Sequence, residues 1–414
     1  MKSVTMISWE LHPFHTRGGT AYAIRRLADQ LTELGIETRV LLPDCLDTQP
    51  ENLSPLLKPV LLQMRPQFLC APRVPQSLEF GRLALEESGG SDAVIAHSAE
   101  GAMFIVLRGE KRHAEPSVFW LHSLFDPSIG DLSKDQRRIF PSASLLASAV
   151  MMADLVVTST GVLQDAREFE WPDRLKELQQ ALTNALAEDR VLTVESTGCV
   201  VEIKNDSQVS NLEELPSPYV LFPGRPTVDK GFGFFAAIAE RLRADNIACV
   251  AVRHPAQQTT PPRNGSIHWL PWLTQDELLV AMRNAACTVL PSITEGFGLA
   301  AAESISRGVT TLYQEVGGHH VLRGLPNALA VPLTTSERAQ LYGFWSELIE
   351  MYPDFWPVWT RHENSFSPLI DKWVEAIRSV VNDGSEKTQF PEQPAEERWG
   401  NRLCRRIEQH RVLP

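Results

Sequence analysis

A chain of 414 residues, 43% of them apolar, is long enough for two cores of about 150 to 200 residues each. Its net charge of −12 argues against nucleic acid as the main partner, which would call for a basic face, and argues only weakly against a membrane surface. No apolar run reaches the ~18 residues a membrane-spanning helix needs, and the start Met-Lys-Ser-Val-Thr-Met lacks a secretory apolar region, so a cytoplasmic location is expected.

Residues 4–9 read as a strand of the buried type. Ile24, Leu27, Ala28, Leu31 and Leu34 then recur at helical spacing, Gly35 stops that helix, and residues 36–42 form a second strand. A strand-helix-strand opening predicts a parallel sheet. Residues 43–91 are irregular and proline-bearing. Short apolar runs follow at 93–96, 118–121 and 155–157, ending at His97, His122 and Thr158. Polar residues at such ends matter, because ligands of open α/β sheets bind beyond the carboxyl ends of the strands. The polar, proline-bearing stretch 200–217 is the expected crossing between domains. A second series follows: strands 219–222, 247–252, 267–270, 287–290 and 310–313, with helices 232–243, 275–285 and 298–307. Seven aromatic residues between 341 and 359 read as packing of a helical subdomain against the sheet. A further amphipathic helix covers 366–381. The tail 382–414 reads as a mobile linker ending in a short basic helix. Cys249 and Cys287 lie in apolar runs and read as small core residues.

The chemistry concentrates in Thr294-Glu295-Gly296-Phe297-Gly298-Leu299, which leads from a strand into the helix carrying Glu303. A helix N-terminus offers free N–H groups and partial positive charge, which favours a phosphate, and glycine lets the phosphate approach the backbone. Glu295 and Glu303 bracket that point and suit hydroxyls on either side of it. Arg225 and Lys230, in a glycine-flanked loop after an earlier strand, supply cations for a diphosphate. Together these residues describe a site for a nucleotide-linked sugar. His319-His320 lacks a third ligand at recognisable spacing, so no metal site is expected.

Glu295 and Glu303 stand at the Glu-x7-Glu spacing of retaining, nucleotide-sugar-dependent glycosyltransferases of the glycogen-synthase-like (family 4) GT-B group, and the chain resembles that group. Gly224-Arg225-Pro-Thr-Val-Asp-Lys230-Gly231 looks like its Gly-Arg-x4-Lys-Gly segment, and Trp9-Glu10 followed by Arg17-Gly18-Gly19 is similar to its opening strand and glycine loop. The resemblance implies an α/β fold of two Rossmann-like parallel-sheet domains facing a cleft. Residues 1–200 would form the acceptor-side domain and 218–365 the donor-nucleotide domain, with helix 366–381 crossing back to the first. It implies a hexosyltransferase-like enzyme that moves a sugar from a nucleotide diphosphate sugar to a saccharide or other hydroxylated acceptor, with retention and without a cofactor. His122, Glu295, Arg225 and Lys230 would be catalytic. Gly18, Gly19, Arg225, Lys230, Glu295, Gly296, Phe297, Gly298, Leu299 and Glu303 would hold the donor, Glu303 through ribose hydroxyls and Glu295 through sugar hydroxyls. His122 would reach the donor sugar across the cleft. His97 is placed similarly, Gly317 and Gly318 match a loop close to the donor, and Arg17 is offset by one from the group's usual cation. The Pro-Asn-Gly-Val-Asp segment common near the domain crossing of relatives is missing here.

Two alternatives remain at this point. Gly296-x-Gly298-x-x-Ala301, with Glu315 after the next strand, satisfies the letter of a dinucleotide fingerprint and would fit an NAD-dependent oxidoreductase. That reading leaves Arg225, Lys230 and Glu303 without a role. A non-catalytic GT-B binding protein is the other.

Overall fold

A computed structural model of the protein describes residues 1–11, 19–44, 53–65, 67, 73–109, 114–122, 142–168, 171, 173–195, 215–253, 265–351, 355–383 and 398–411. The chain divides into two compact units, Met1–Cys199 with Gln393–Pro414, and Val200–Glu392. The expected crossing at 200–217 falls almost wholly outside the described residues.

In the first unit the strands are β1 (Ser3–Ile7), β2 (Glu37–Pro43), β3 (Leu57–Leu62), β4 (Ala93–His97), β5 (Ser117–Trp120), β6 (Leu155–Ser159) and β7 (Val191–Val194). They pair in parallel in the order β3-β2-β1-β4-β5-β6-β7. The side chains of β4, β5 and β6 are buried throughout, as expected for a parallel sheet covered on both faces. Helices α1 (Gly19–Glu33), α2 (Arg73–Glu87), α3 (Ser98–Arg108), α4 (Ser142–Met152), α5 (Thr160–Glu168) and α6 (Lys176–Ala187) alternate with them. Helix α3 starts directly after β4. Ser98 takes φ 61 at that junction, and a Cβ on Gly101 would lie 2.8 Å from the Ala96 carbonyl carbon, so glycine lets the helix lie on its own strand's end.

The second unit repeats the pattern with β8 (Tyr219–Phe222), β9 (Ala248–Val252), β10 (Ile267–Leu270), β11 (Cys287–Leu290), β12 (Thr311–Gln314) and β13 (Ala328–Val331), in the parallel order β10-β9-β8-β11-β12-β13. Its helices are α7 (Phe232–Leu242), α8 (Gln275–Asn284), α9 (Leu299–Ser306), α10 (Thr335–Met351), α11 (Phe355–His362) and α12 (Ser367–Asp383). Thr274 and Glu277 close a reciprocal capping box at the start of α8. Cys249 and Cys287 flank Val220 on neighbouring strands, both buried, and burial raises the Cys249 thiol to about 12. Phe344 and Trp345 of α10 and Trp359 of α11 are buried, while Tyr352 lies outside the described residues. Trp359 meets Phe234 of α7 at 4.8 Å and stacks on Phe366, and a Cβ on Gly233 would lie 2.5 Å from the Trp359 ring.

The chain's end holds the short helix expected there, and its last two helices fall in different units. The helix expected to cross back, α12, lies in the second unit. It buries Leu369, Ile370, Trp373, Val374 and Ile377 there, and Arg241 bonds to Ser367, Arg378 to Asp245 and Lys372 to Glu337. The helix that belongs to the first unit is α13 (Trp399–Arg411), from the segment read as a tail. Its Trp399, Leu403 and Ile407 are fully buried, the Trp399 indole donates to the Glu195 carbonyl at 2.6 Å, and the helix packs on α1 and β7. Among the described residues no helix is long and apolar enough to cross a membrane.

Candidate active site

In each sheet the strand order reverses direction at one point, between β1 and β4 in the first unit and between β8 and β11 in the second. Such switch points open a crevice at the carboxyl ends of the strands. In the second unit the loops after β8 and β11 carry the expected residues and are bonded to each other there. The Asp229 carbonyl accepts from Ile293 N–H at 2.9 Å. Gly231, at φ 72, lies so close to the second loop that a Cβ would sit 1.8 Å from the Pro291 carbonyl oxygen. This approach sets Lys230 Nζ 2.9 Å from Glu295 Oε1. Glycine at 231 is therefore a condition of the pair.

A third loop completes the cradle. Gly317, at φ 47, and Gly318 would clash through any Cβ with the carbonyl oxygens of Glu295 and Gly296, at 1.9 and 2.5 Å, and Gly318 N–H donates to Glu295 O at 3.0 Å. His319 is fully buried beneath. Its Nδ1 donates to the Gln314 carbonyl at 3.0 Å, and Nε2 stands 3.8 Å from Glu295 Oε2. Ser292 Oγ bonds the same carboxylate at 3.3 Å. Burial pushes the Glu295 carboxyl up, but the Lys230 charge, the His319 ring and the Gly298 N–H outweigh it and hold the group below the usual carboxylate range. Glu295 is thus an anion held in place by a cation, with only 11% of its side chain exposed.

Gly298, at φ 66, ends the loop as the N-cap of α9 and gives no side-chain cap, so the first-turn N–H groups of that helix are not closed by a side chain of their cap. Gly296 is buried, Leu299 is half-buried, and the Phe297 side chain is buried, so what Phe297 can offer a ligand is backbone. Glu303, in the second turn of α9, accepts from Gln275 Nε2 at 2.8 Å. Arg225 is half-buried in the turn after β8, and its guanidinium has no ion-pair partner among the described residues. The structure therefore brings Lys230 and Glu295 into contact, and places Glu303 beside Gln275.

In the first unit His97 and His122 leave adjacent strands, and His97 Nδ1 lies 2.9 Å from His122 Nε2. Trp120 stacks on both rings, at interplanar angles of 28° and 17°, and meets Trp399 of α13 at 5.2 Å. Burial lowers both imidazoles, His122 to about 3 and His97 well below its ordinary value, with the neighbouring His122 adding to the effect on His97. Thr158 is fully buried within β6. Gly19 is the first residue of α1, while Arg17 and Gly18 lie outside the described residues. Among the described residues no cluster of three His, Cys, Asp or Glu could hold a metal ion.

The sequence reading did not anticipate Ser292, Gln275, Trp120 or the part His319 plays. The direct contact of His97 with His122 had a signal, two histidines closing neighbouring strands. His319 had one in the preceding Gly317-Gly318. Gln275 had none, because only the packing of α8 on α9 brings it to Glu303.

Two family models match parts of the chain. Residues 217–340 match the family model described as Glycosyl transferases group 1, and residues 3–89 match that described as Starch synthase catalytic domain. A search of curated protein sequences found no match. Among solved structures, the catalytic domain of starch synthase IV from Arabidopsis thaliana, bound to ADP and acarbose, superposes with a TM-score of 0.58 at 14% identity. That match covers 92% of this chain and 99% of that one. Sucrose-phosphate synthase from Thermosynechococcus elongatus gives 0.57 at 14% identity, covering 92% and 100%. WaaG, a glycosyltransferase involved in lipopolysaccharide biosynthesis, gives 0.52 at 15%, covering 96% and 100%. At these identities the superpositions establish the fold, which is GT-B.

Proposed function

We propose that this chain, which resembles the glycogen-synthase-like GT-B glycosyltransferases in both halves, moves a sugar from a nucleotide diphosphate sugar to a hydroxylated acceptor with retention of configuration. The observation that carries the reading is the Lys230–Glu295 pair, held at the switch point of the second sheet beside an uncapped helix N-terminus. Transfer leaves a nucleoside diphosphate whose oxygens gather charge as the glycosidic bond breaks. Fixed donors already aimed at those oxygens stabilise that charge most at the transition state. Arg225, Lys230 and the first-turn N–H groups of α9 are such donors. Glu295 then serves twice, orienting Lys230 and accepting from a donor-sugar hydroxyl, while Glu303 takes the ribose hydroxyls and His122 contributes to the sugar. Similar structures hold ligands of this class, ADP with acarbose in one and UDP-2-fluoro glucose in another, from E. coli.

A dinucleotide-binding oxidoreductase is the weaker account. The Gly296–Ala301 fingerprint begins after the fourth strand of its sheet's sequence, not the first, and its opening glycine follows a carboxylate already committed to Lys230.

The sequence holds no Asp-x-Asp triple of the kind that places a divalent cation on a diphosphate. Turnover is therefore expected to survive EDTA, while Arg225→Ala and Lys230→Ala each lower it by roughly 10²- to 10³-fold. Loss of activity in EDTA with both variants near wild type would assign the charge to a metal and overturn the arrangement.

A further inference from the structure

His97 and His122 share one proton along the 2.9 Å line between Nδ1 and Nε2, and two arrangements satisfy that bond. If His122 donates from Nε2, a neutral His97 must carry its own proton on Nε2. That atom is buried and has no hydrogen-bond partner among the described residues. The Trp120 face offers no substitute acceptor, because the rings lie at 28° and an in-plane N–H runs along the indole rather than into it. A buried N–H with no acceptor is the rarer and costlier defect; a buried ring nitrogen with an unused lone pair is milder. The opposite arrangement leaves only that lone pair. Burial holds both rings neutral, so each keeps a single proton.

We propose that His97 sets the tautomer of His122: it donates its Nδ1 proton to His122 Nε2, so that His122 carries its own proton on Nδ1 and meets a substrate oxygen as a hydrogen-bond donor. His97 is then a positioning residue with no contact to substrate of its own. Trp120 lies against both rings, which are tilted 32° to each other, and Trp399, from the last helix, backs Trp120. The nitrogen that faces the ligand is chosen by the bond the other nitrogen makes. A His122 that donates suits a sugar hydroxyl oxygen or an acceptor carbonyl and cannot serve as a base through Nδ1. The chemical role rests on the glycosyl-transfer reading, whereas the tautomer does not.

The test separates them. Long-range nitrogen–proton correlation spectra of the full-length, nitrogen-15 histidine-labelled protein, with His122→Gln for assignment, report which nitrogen of His122 is protonated. The expected pattern is a protonated Nδ1 and an unprotonated Nε2; the reverse overturns the proposal, whatever the enzyme transfers. Two variants carry the functional half. His97→Asn places an amide N–H near the lost Nδ1–H and is expected to keep kcat within about 3-fold. His97→Asp can only accept; it is expected to move the His122 proton to Nε2 and to lower kcat by roughly 10²-fold with little change in donor KM, as for loss of one oriented donor. Equal activity of the Asp and Asn variants would remove the positioning role. A protonated Nδ1 together with undiminished transfer by His122→Ala would leave the tautomer standing and remove His122 from the reaction.

Discussion

Glu303 shows how a single carboxylate can be tested apart from its neighbours. It stands in the second turn of α9 and is tied to Gln275, not to Lys230 or Arg225. Glu303→Ala is expected to weaken binding of the free nucleoside diphosphate by roughly 10- to 100-fold, the equivalent of one hydrogen bond to a charged acceptor, ~1.5 to 3 kcal/mol. Isothermal titration checks this, and wild-type affinity in the variant would detach Glu303 from the ribose. The half-buried His122 makes a second prediction at the same scale. An exposed histidine titrates near ~6.5, and burial lowers His122 to about 3 when folded. The folded state thus binds fewer protons than the unfolded one between these values. The stability held by neutral His122 is complete above about pH 6.5 and is lost as pH falls from there toward 3. Thermal melts between pH 7 and 4 should show a shallower decline in His122→Gln than in wild type; parallel slopes would mean that the ring is not held neutral.

At the scale of elements, α13 carries more than its sequence suggests. Trp399 is fully buried, bonds to the Glu195 carbonyl and touches Trp120, the wall behind both histidines. Trp399→Ala is expected to cost about 3 to 5 kcal/mol of stability, the usual loss for a large buried aromatic, and denaturant titration measures it. A cost below about 1 kcal/mol would mean that the helix only rests on the surface. The elements that could be read in advance were those with one dominant signal. Strand β8 is an uninterrupted apolar run, β4 is one up to His97, β1 is mainly apolar around Thr5, and α1 has apolar residues at helical spacing. Strand β3 was not legible, because Pro59 breaks its pattern; proline is tolerated there because β3 is the edge of its sheet. Helix α2 was hidden because a polar residue faces inward. Glu79 is buried, and its bonds to Arg65 and Arg82 hold its carboxylate low, a compensation with no mark in linear sequence. Helix α13 is so polar on its outer face, and so far from α1 in sequence, that its three inward residues read as incidental.

At the scale of the whole molecule the two sheets share the order of their first six strands and the kind of switch point, yet the residues gathered there differ in kind. The second holds Lys230 paired with the Glu295 carboxylate, a half-buried arginine and a glycine cradle; its cations and backbone N–H groups suit an anion. The first holds two neutral imidazoles on a tryptophan wall, which suit hydroxyls. The candidate anion site was legible because its residues lie in two short segments, Gly224–Gly231 and Glu295–Glu303. The histidine pair was only half legible, because its two members come from separate strands. The cations and backbone N–H groups of the second unit suit the charged nucleotide half of the donor proposed above. Proton nuclear magnetic resonance of the protein incubated with UDP-, GDP- and ADP-sugars and a panel of hydroxylated acceptors, in EDTA, tests this most directly. The expected result is release of nucleoside diphosphate from one donor, with the first-formed product keeping the donor's anomeric configuration. A protein that consumes none of the donors and binds none of the nucleoside diphosphates would contradict the account.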